Sequence, residues 1–512
     1  MQRKLRWINF VLLLLTLHLT VTSAVGQTPA SSTEVSLGSS SPDLVHPDLV
    51  LQGEVQGDKN HTYVEAPFQV PTGVQRVTIT FAYTEKDQRT ALDLGLLDPE
   101  ELRCWSGGNK SALTVGLADA TPSCLPGPIL SGMWKVLIGV PNIRPQVTSH
   151  YTIQVFFTRT GLVADEPSLL RTPLRSGAAW YRGDLHMHTG HSDGQCPSQT
   201  GKSVPCPVFF TVDAAARRGL DFIAVTDHNT ASHYDAMREL QPYFDKLLLI
   251  PGREITTFQG HFNIWGTEQF LDFRLGSKEV PQINELLQKA KSLGALASIN
   301  HPTSPSGEIC FGCGWTTSVP TDMKLVDAIE VANGGSEDRA RSGIEFWEHQ
   351  LDQGYHLKAI GGSDNHRPLK PLDQPGSIGW PTTVVYAENL STPAILAGIH
   401  AGHVFVDLTG TSDRVLELTA NNGTAVAQMG DSLIAPIGTH IQFTAKVSHV
   451  LQGKIVLLQD GKPFATDAAK TETASQQVHA SWTSDGRRHW FRVNVLGPDD
   501  RLLLIGNPIY VN

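Results

Sequence analysis

The sequence has no excess of basic residues. Of its 512 residues, 40 are lysine or arginine and 50 are aspartate or glutamate, so the formal net charge is -10. Proteins that bind long nucleic acids neutralise phosphates with basic stripes. This balance therefore argues against a long nucleic acid as partner. It remains compatible with a small phosphorylated substrate that metal ions hold.

Long apolar runs are also scarce. The longest, residues 8–21, follows three basic residues and precedes the small residues Thr22-Ser23-Ala24. This pattern predicts a signal peptide over residues 1–26, cleaved after Ala24 or Gly26. The run is short for the ~20 residues that span a bilayer, which favours cleavage over an anchor. We therefore expect an exported protein, periplasmic or extracellular, that does not associate with membranes after cleavage.

Cysteine is rare, with six residues in the chain. An even number in an exported protein indicates disulfides, and six cysteines allow 15 connectivities. The preferred one pairs sequence neighbours: Cys104–Cys124, Cys196–Cys206 and Cys310–Cys313. The alternative is a structural zinc site in which the Cys-x2-Cys pair combines with the two cysteines that precede it.

The chain is too long for one hydrophobic core, so we expect several domains. Residues 27–47 have the Ser/Thr/Pro-rich composition of a linker. Alternating short segments predict a β-sandwich over residues 48–165. Residues 178–405 change to alternating strands and helices, which indicates a parallel sheet, open or closed into a barrel. Alternating strands return over residues 412–512, where we expect a second small β-sandwich.

The stretch 183–194 concentrates groups that bind metal ions. His186 and His188 stand two residues apart at the end of a short apolar run, and Asp193 follows. Side chains at positions i and i+2 of a strand share one face, so both imidazoles can reach one ion. Imidazole and carboxylate ligands together suit zinc, manganese or iron. Two satisfied histidines beside a polar turn are the alternative interpretation of this stretch taken alone.

The middle region repeats this pattern where its predicted strands end. In a parallel barrel, the loops that follow the strands carry the chemistry. Histidine, aspartate or glutamate occurs at most of these positions. The stretches are Thr226-Asp227-His228-Asn229, Gly252-Arg253-Glu254, Gly260-His261-Phe262-Asn263, Asn300-His301-Pro302 and Ser363-Asp364-Asn365-His366. Each stretch alone is typical of a turn, but the set together predicts a metal site.

These motifs, in this order, resemble those of the PHP superfamily, named for its polymerase and histidinol-phosphatase members. The Gly-His-Phe-Asn stretch and the flanking β domains resemble more specifically the exported CehA/McbA-like metallohydrolases, which include a carbaryl hydrolase. The resemblance covers residues 180 to about 405. It implies a distorted (β/α)7 PHP-type barrel, flanked here by N- and C-terminal β-sandwiches. It also implies two or three divalent metal ions as cofactors, commonly Zn, Mn or Fe.

The resemblance further implies nine metal ligands in three sites. They are His186, His188 and Asp364 for a first ion, Glu254 bridging to a second, His261 and His301 completing the second, and Asp193, His228 and His366 for a third. Many relatives carry a histidine at the position of Asp193. The carboxylate keeps a ligand there but favours ions that prefer oxygen, such as Mn or Fe.

Ions ~3.5–4 Å apart activate a bridging water and polarise an ester oxygen, so neither a serine nor a cysteine nucleophile is required. Arg367 and Arg253 are candidates to bind an anionic substrate group, with a salt bridge at the barrel rim as the alternative for each. Adjacent residues of a strand point to opposite faces. Each arginine stands next to a predicted ligand, so at least one of the two can face away from the site. Asp227 is expected to orient a ligand rather than to accept a proton.

Two activities fit this site on a small-molecule ester substrate. The first is hydrolysis of phosphoesters such as nucleotides or sugar phosphates, which most of the superfamily supports and which three ions suit. The second is hydrolysis of a carbamate, carboxylic ester or amide, which the closer resemblance supports and for which two ions suffice. A non-catalytic binding protein is a third hypothesis, and the complete ligand set argues against it. The sequence carries no signal for an oligomeric state.

Overall fold

The computed structural model describes residues 46–512, except positions 107, 109, 118, 122 and 311 and segments 160–171, 307–309, 335–342, 465–468 and 471–474. The predicted signal peptide and residues 27–45 of the predicted linker lie outside the described residues. The described part is a strand-rich α/β structure with five α-helices. No helix in it is long and apolar enough to cross a membrane.

Two four-stranded antiparallel sheets form the first part of the structure. Their strands are β1 (Leu49–Gln56), β2 (Tyr63–Val70), β3 (Val74–Tyr83), β4 (Ala91–Leu97), β5 (Leu102–Trp105), β6 (Ala112–Gly116), β7 (Gly132–Asn142) and β8 (Thr148–Arg159). The strand orders are β1-β8-β3-β6 and β2-β7-β4-β5. Alternate residues of these strands point into one shared core that contains the fully buried Trp134. Two sheets packed on one core match the predicted sandwich architecture.

The middle part contains all five described α-helices. Its elements are β9 (Arg175–Asp184), β10 (Gln195–Pro197), β11 (Ser203–Pro205), α1 (Val208–Arg218), β12 (Phe222–Val225), α2 (Tyr234–Leu240), β13 (Leu248–Thr257), β14 (Gly260–Trp265), α3 (Ile283–Ser292), β15 (Leu296–Ile299), β16 (Ala328–Asn333), α4 (Ile344–Asp352), β17 (Lys358–Gly362), β18 (Thr382–Leu390), α5 (Thr392–Ala401) and β19 (Val404–Asp407). Short 3-10 helices span Gly57–Lys59, Lys86–Gln88 and Met323–Leu325.

Strands β9 and β12 to β19 belong to one sheet, which does not show the predicted closed (β/α)7 barrel. Its strand order is β17-β16-β15-β14-β13-β12-β9-β18-β19, and no backbone ladder joins β17 to β18 among the described strands. Instead, the Thr383 hydroxyl donates to the Gly361 carbonyl at 2.6 Å and accepts from its N–H at 2.9 Å. In addition, β13, β14 and β15 pair antiparallel. Antiparallel neighbours need no helical crossover, so fewer helices surround this sheet than the prediction requires.

The last part adds strands to the same large sheet. Its strands are β20 (Val415–Asn421), β21 (Val426–Gln428), β22 (Ser432–Leu433), β23 (His440–Ser448), β24 (Lys454–Gln459), β25 (Lys462–Pro463), β26 (Ala469–Lys470), β27 (Ser475–Thr483), β28 (His489–Leu496), β29 (Leu502–Gly506) and β30 (Ile509–Val511). Because β29 pairs with β19, strands β29, β28, β24 and β25 extend the central sheet. A separate sheet, β21-β20-β23-β27, packs with them on one core. The predicted domain boundaries stay predictions.

The structure agrees with two of the three predicted disulfides. Cys104–Cys124 and Cys310–Cys313 are bonded. The third pair differs, because Cys196 and Cys206 are free buried thiols. In the β10–β11 ladder Cys196 lies opposite Val204, and Cys206 lies one residue beyond the end of that ladder. The alternative zinc site is not shown either, since no cysteine belongs to a potential metal-binding group in the described residues.

Candidate metal centre

The end of β9 turns two histidines toward one point. Between them, the fully buried Met187 packs into an apolar cluster with residues of α1 and β12. Its backbone N–H donates to the hydroxyl of Thr226, the residue that follows β12. Because alternate side chains of an extended segment point to opposite faces, His186 and His188 share the face opposite Met187.

Two overlapping groups, the inner groups, surround His186. The first is His186, Glu254 and His301, and the second is His186, His188 and Asp364. Glu254 Oε1 lies 3.4 Å from His186 Nε2 and 3.4 Å from His301 Nε2. Asp364 Oδ1 lies 3.4 Å from His186 Nε2 and 3.1 Å from His188 Nε2. Ligand atoms ~3.4 Å apart match the edge of a tetrahedron with metal–ligand bonds of ~2.1 Å.

A third group, the outer group, consists of His188, Asp193, His228 and His366. Asp193 Oδ1 lies 3.3 Å from His366 Nε2, 3.6 Å from His228 Nε2 and 4.0 Å from His188 Nδ1. The Asp193 side chain is 55% exposed, whereas that of Glu254 is 1% exposed. The outer group therefore forms the solvent-facing side of the cluster.

The structure brings all nine predicted ligands together. Eight of them belong to the inner and outer groups, and the ninth, His261, places Nδ1 3.4 Å from Glu254 Oε1. Glu254 also connects the groups, because its Oε2 lies 3.5 Å from His188 Nε2 and 3.0 Å from His228 Nδ1. Glu254 is therefore the central carboxylate of the cluster, and the bridging role that the resemblance implies for it stays a prediction. The assignment of individual ions to ligands stays a prediction.

Charges of opposite sign within the cluster shift the pKa values of its members. Burial alone would raise the pKa of Glu254, but His186 and His228 outweigh it and hold that pKa well below its usual value. Burial would likewise lower the pKa of His366, but Asp193 and Asp364 raise it to about 9. For His188 burial prevails and lowers its pKa to about 4. A neutral buried imidazole is the form that binds a metal ion.

The hydrogen bonds of three histidines fix which nitrogen faces the cluster. The Nδ1 atom of His186 contacts Glu330 Oε1 at 2.9 Å, that of His301 the Cys313 carbonyl at 3.0 Å, and that of His366 the Asp364 carbonyl at 2.8 Å. Carboxylate and carbonyl oxygens only accept, so each Nδ1 donates. Each Nε2 is then directed at the carboxylates of the cluster, as metal-binding histidines require.

The donor set fits divalent metal ions. His186 Nε2 and His188 Nδ1 are buried and have no hydrogen-bond partner. A buried polar atom without a partner costs free energy, which a coordinated cation removes. Mixed imidazole and carboxylate donors suit Zn, Mn or Fe. The described residues can therefore hold metal ions at these groups.

Two of the ligands lie on strained backbone. His301 has φ +28° and Asp364 has φ +50°, both in the left-handed region that non-glycine residues rarely adopt. Such conformations cluster at functional sites, where the surrounding structure imposes them. Here the His301 N–H donates to Glu330 and the Asp364 N–H to the His186 carbonyl, so hydrogen bonds at the cluster itself hold both conformations.

Sequence reasoning missed the residues that hold the ligands. Glu330 contacts His186, and Asn300 donates to Glu254 Oε1 at 2.9 Å. Asn333 donates to Glu330 Oε2 at 2.9 Å and to Asp364 Oδ2 at 3.3 Å. A signal for Glu330 was present, because it is the one charged residue in the apolar run 328–332. A carboxylate in a buried strand requires a partner.

Asp227 lies beside the cluster rather than in it. The fully buried carboxylate accepts from the Thr189 N–H at 2.8 Å, the Thr189 hydroxyl at 2.6 Å and the Ser192 hydroxyl at 2.5 Å. These bonds fix the loop that carries Asp193, and the orienting role of Asp227 stays a prediction. Ser192 stands in a Gly-x-Ser-x-Gly pattern, Gly190 to Gly194, which in some hydrolases marks a serine nucleophile. Here strand β10, not a helix, follows that pattern, and the hydroxyl donates to a carboxylate.

The two arginines predicted to bind substrate lie in different surroundings. Arg253 is 1% exposed and donates to the Gln269 carbonyl. Its neighbour Glu254 faces the cluster, so Arg253 points to the other face of β13, and the structure does not bring it to the site. Arg367 is exposed and follows His366 of the outer group. His191, which matches no ligand position, is also exposed and contacts the Ser232 hydroxyl at 2.8 Å.

The chain shows little similarity to known proteins. No protein-family model and no curated protein matches the chain. Among solved structures, it is similar to a two-domain protein from Bacteroides vulgatus ATCC 8482 that contains a predicted PHP-like metal-dependent phosphoesterase. The two are 19% identical, the match covers 66% of this chain and 98% of that one, and the TM-score is 0.37. A TM-score of this size does not establish a shared fold.

Proposed function

We propose that this chain is an exported metal-dependent hydrolase that uses water to cleave phosphate esters of small molecules. The observation that carries the proposal is the convergence of three ligand groups on Glu254 and the histidine pair His186 and His188. Groups that share members hold ions close to one another. Closely spaced ions are the arrangement that hydrolytic multinuclear sites use.

Bound Zn, Mn or Fe ions would supply an activated water and polarise the phosphoryl oxygen. The chain's own residues perform the remaining tasks. Glu254 connects the inner and outer groups, and Asp227 holds the loop of Asp193 in place. The exposed Arg367 offers a positive charge beside the outer group, where an anionic phosphoryl group would enter.

The outer group favours a phosphate ester over a carbamate or carboxylic ester. Two ions suffice for attack on a carbonyl carbon, and the inner groups alone would provide them. A third, solvent-facing group with Asp193, His228 and His366 could hold a further ion, which would supply additional positive charge for a phosphoryl group. A carbamate, ester or amide hydrolase is the second candidate, and the substrate test below separates the two.

The test uses the purified chain, stripped with a chelator and reloaded with Mn²⁺ or Zn²⁺. Substrates are p-nitrophenyl phosphate, bis-p-nitrophenyl phosphate and 1-naphthyl N-methylcarbamate. We expect metal-dependent release of p-nitrophenol and no turnover in the stripped protein. Carbamate turnover without phosphate ester cleavage would overturn the phosphate assignment. Fewer than one ion per chain after reloading would argue against a metal enzyme altogether.

A matched histidine pair tests the site within one loop. His188 is fully buried and belongs to two ligand groups, whereas His191, three residues later, is exposed and contacts a serine. We expect His188→Ala to lower kcat/KM at least about 10³-fold and to reduce the metal content. His191→Ala should retain both. Full activity in His188→Ala would show that the cluster is not the active site.

A further inference from the structure

Glu330 lies in the middle of β16, and the two residues on either side of it are apolar. Ala328, Ile329, Val331 and Ala332 are fully buried, and so is Glu330 itself. A buried carboxylate is costly unless several donors satisfy it. The chain therefore retains a costly group at this position, and its contacts indicate what it does there.

Both oxygens of Glu330 contact the metal-binding cluster. Oε1 accepts from His186 Nδ1 at 2.9 Å. Oε2 accepts from the His301 backbone N–H at 3.0 Å and from Asn333 Nδ2 at 2.9 Å. Asn333 in turn donates to Asp364 Oδ2 at 3.3 Å. One carboxylate thus connects, directly or through one amide, to three ligands of the inner groups.

A glycine of the neighbouring strand lies directly against this contact. A Cβ atom at Gly362 of β17 would collide with Glu330 Oε1 and with the His186 Cβ. The bare backbone of Gly362 therefore allows the carboxylate and the imidazole to meet. The outer histidines have different partners: Nδ1 of His228 contacts the Thr256 hydroxyl and the ligand Glu254, and Nδ1 of His366 contacts the Asp364 carbonyl.

We propose that Glu330 is the positioning residue of the inner groups. It holds the hydrogen of His186 on Nδ1, so Nε2 presents its lone pair toward Glu254 and Asp364, and it fixes the backbone of His301. It does not touch an ion or the substrate. This inference rests on the proposed metal-dependent function, and it predicts that loss of the carboxylate weakens metal binding at the inner groups while sparing the outer group.

The test is Glu330→Gln, measured by zinc titration against a competing chelator, with bound ions counted by elemental analysis. The titration is repeated in a His366→Ala background, which disables the outer group and reports the inner groups alone. We expect inner affinity to fall about 10–100-fold, the usual effect of removing a partner of a ligating histidine. The affinity of the outer group is measured in Glu330→Gln alone, where His366 is intact, and it should stay at the wild-type value.

Glu268→Gln is the matched control, because Glu268 is also a buried carboxylate but pairs with Arg76 and Arg238. It should lower the melting temperature without changing metal affinity. If Glu330→Gln does not fold, Asn333→Ala tests the same network and should also weaken inner binding.

Unchanged inner affinity in a folded variant of either residue would overturn the proposal, as would an equal loss in Glu330→Gln and Glu268→Gln. A wild-type chain that binds no zinc would instead overturn the proposed function.

Discussion

The inner and outer ligand groups contrast in how the fold supports them. Inner residues lie at strand ends and are backed by buried partners, such as Glu330 behind His186 and Asn300 behind Glu254. Apart from the shared and buried His188, the outer residues lie on loops that reach solvent, and the side chains of Asp193 and His366 are 55% and 34% exposed. The same ligand types are therefore buried and hydrogen-bonded on one side of the cluster and exposed to solvent on the other.

This contrast indicates a division of labour. Electrostatic interactions strengthen where water is excluded, so the buried inner groups should retain their ions tightly. In the outer group, burial alone would raise the pKa of Asp193, but His366, His228 and His188 lower it to about 2. Its carboxylate is thus charged at neutral pH and accessible. Under the proposed function, we therefore expect the inner groups to retain their ions and the outer group to exchange its ion and to face the substrate.

The largest effect should come from the residue common to both sides. Glu254→Gln removes the carboxylate that contacts His186, His301 and the outer His228. We expect loss of inner and outer ions together and a fall in kcat/KM of at least about 10³-fold. Glu285→Gln, on the exposed face of α3, is the control and should be neutral. If Glu254→Gln kept its outer ion, Glu254 would belong to the inner side alone.

The sequence predicted the ligands better than their supports for a physical reason. His186 and His188 are recognisable because strand alternation acts over two residues. The role of Glu330 depends on a contact with His186 across 144 residues of chain, which no local pattern encodes. Burial, which the sequence does not show, also distinguishes Arg253 from Arg367. Both are arginines beside a ligand, but one lies at 1% exposure on the far face of its strand.

The periodicity of the sequence predicted the type of each region but not the long-range pairing of its strands. Alternating periodicity indicated the N- and C-terminal β regions, and alternation of strands with helical stretches indicated the central α/β region. Whether a sheet closes depends on the pairing of its edges, and here β17 meets β18 through the side chain of Thr383 instead of a ladder. Likewise, β19 pairs with β29, about a hundred residues later, so the last region shares a sheet with the centre. Such long-range pairings leave no periodic signal.

A smaller effect should separate the outer group from the inner ones. Asp193→Asn removes the carboxylate that His228 and His366 approach. We expect the ion count to fall by one and kcat/KM for p-nitrophenyl phosphate to fall about 10–100-fold, with inner zinc affinity unchanged. Asp193→His, which restores a ligand, should regain the ion and shift the preference toward zinc.

Asp213→Asn, an acid on the surface of α1 paired with Arg217, controls for the lost charge. Loss of all ions in Asp193→Asn would mean that the two sides are one cooperative site.

The smallest effect should come from Arg367, which the contrast places on the substrate side. Its side chain is exposed, and an exposed charge contributes at most ~1 kcal/mol, so Arg367→Ala should raise KM for p-nitrophenyl phosphate about threefold to fivefold. The metal content and kcat should not change. The difference should shrink at high salt, because salt screens exposed charges. Arg217→Ala on α1 should be neutral. An equal rise in KM for a neutral carbamate would show that Arg367 shapes the entrance to the site and does not attract the anion.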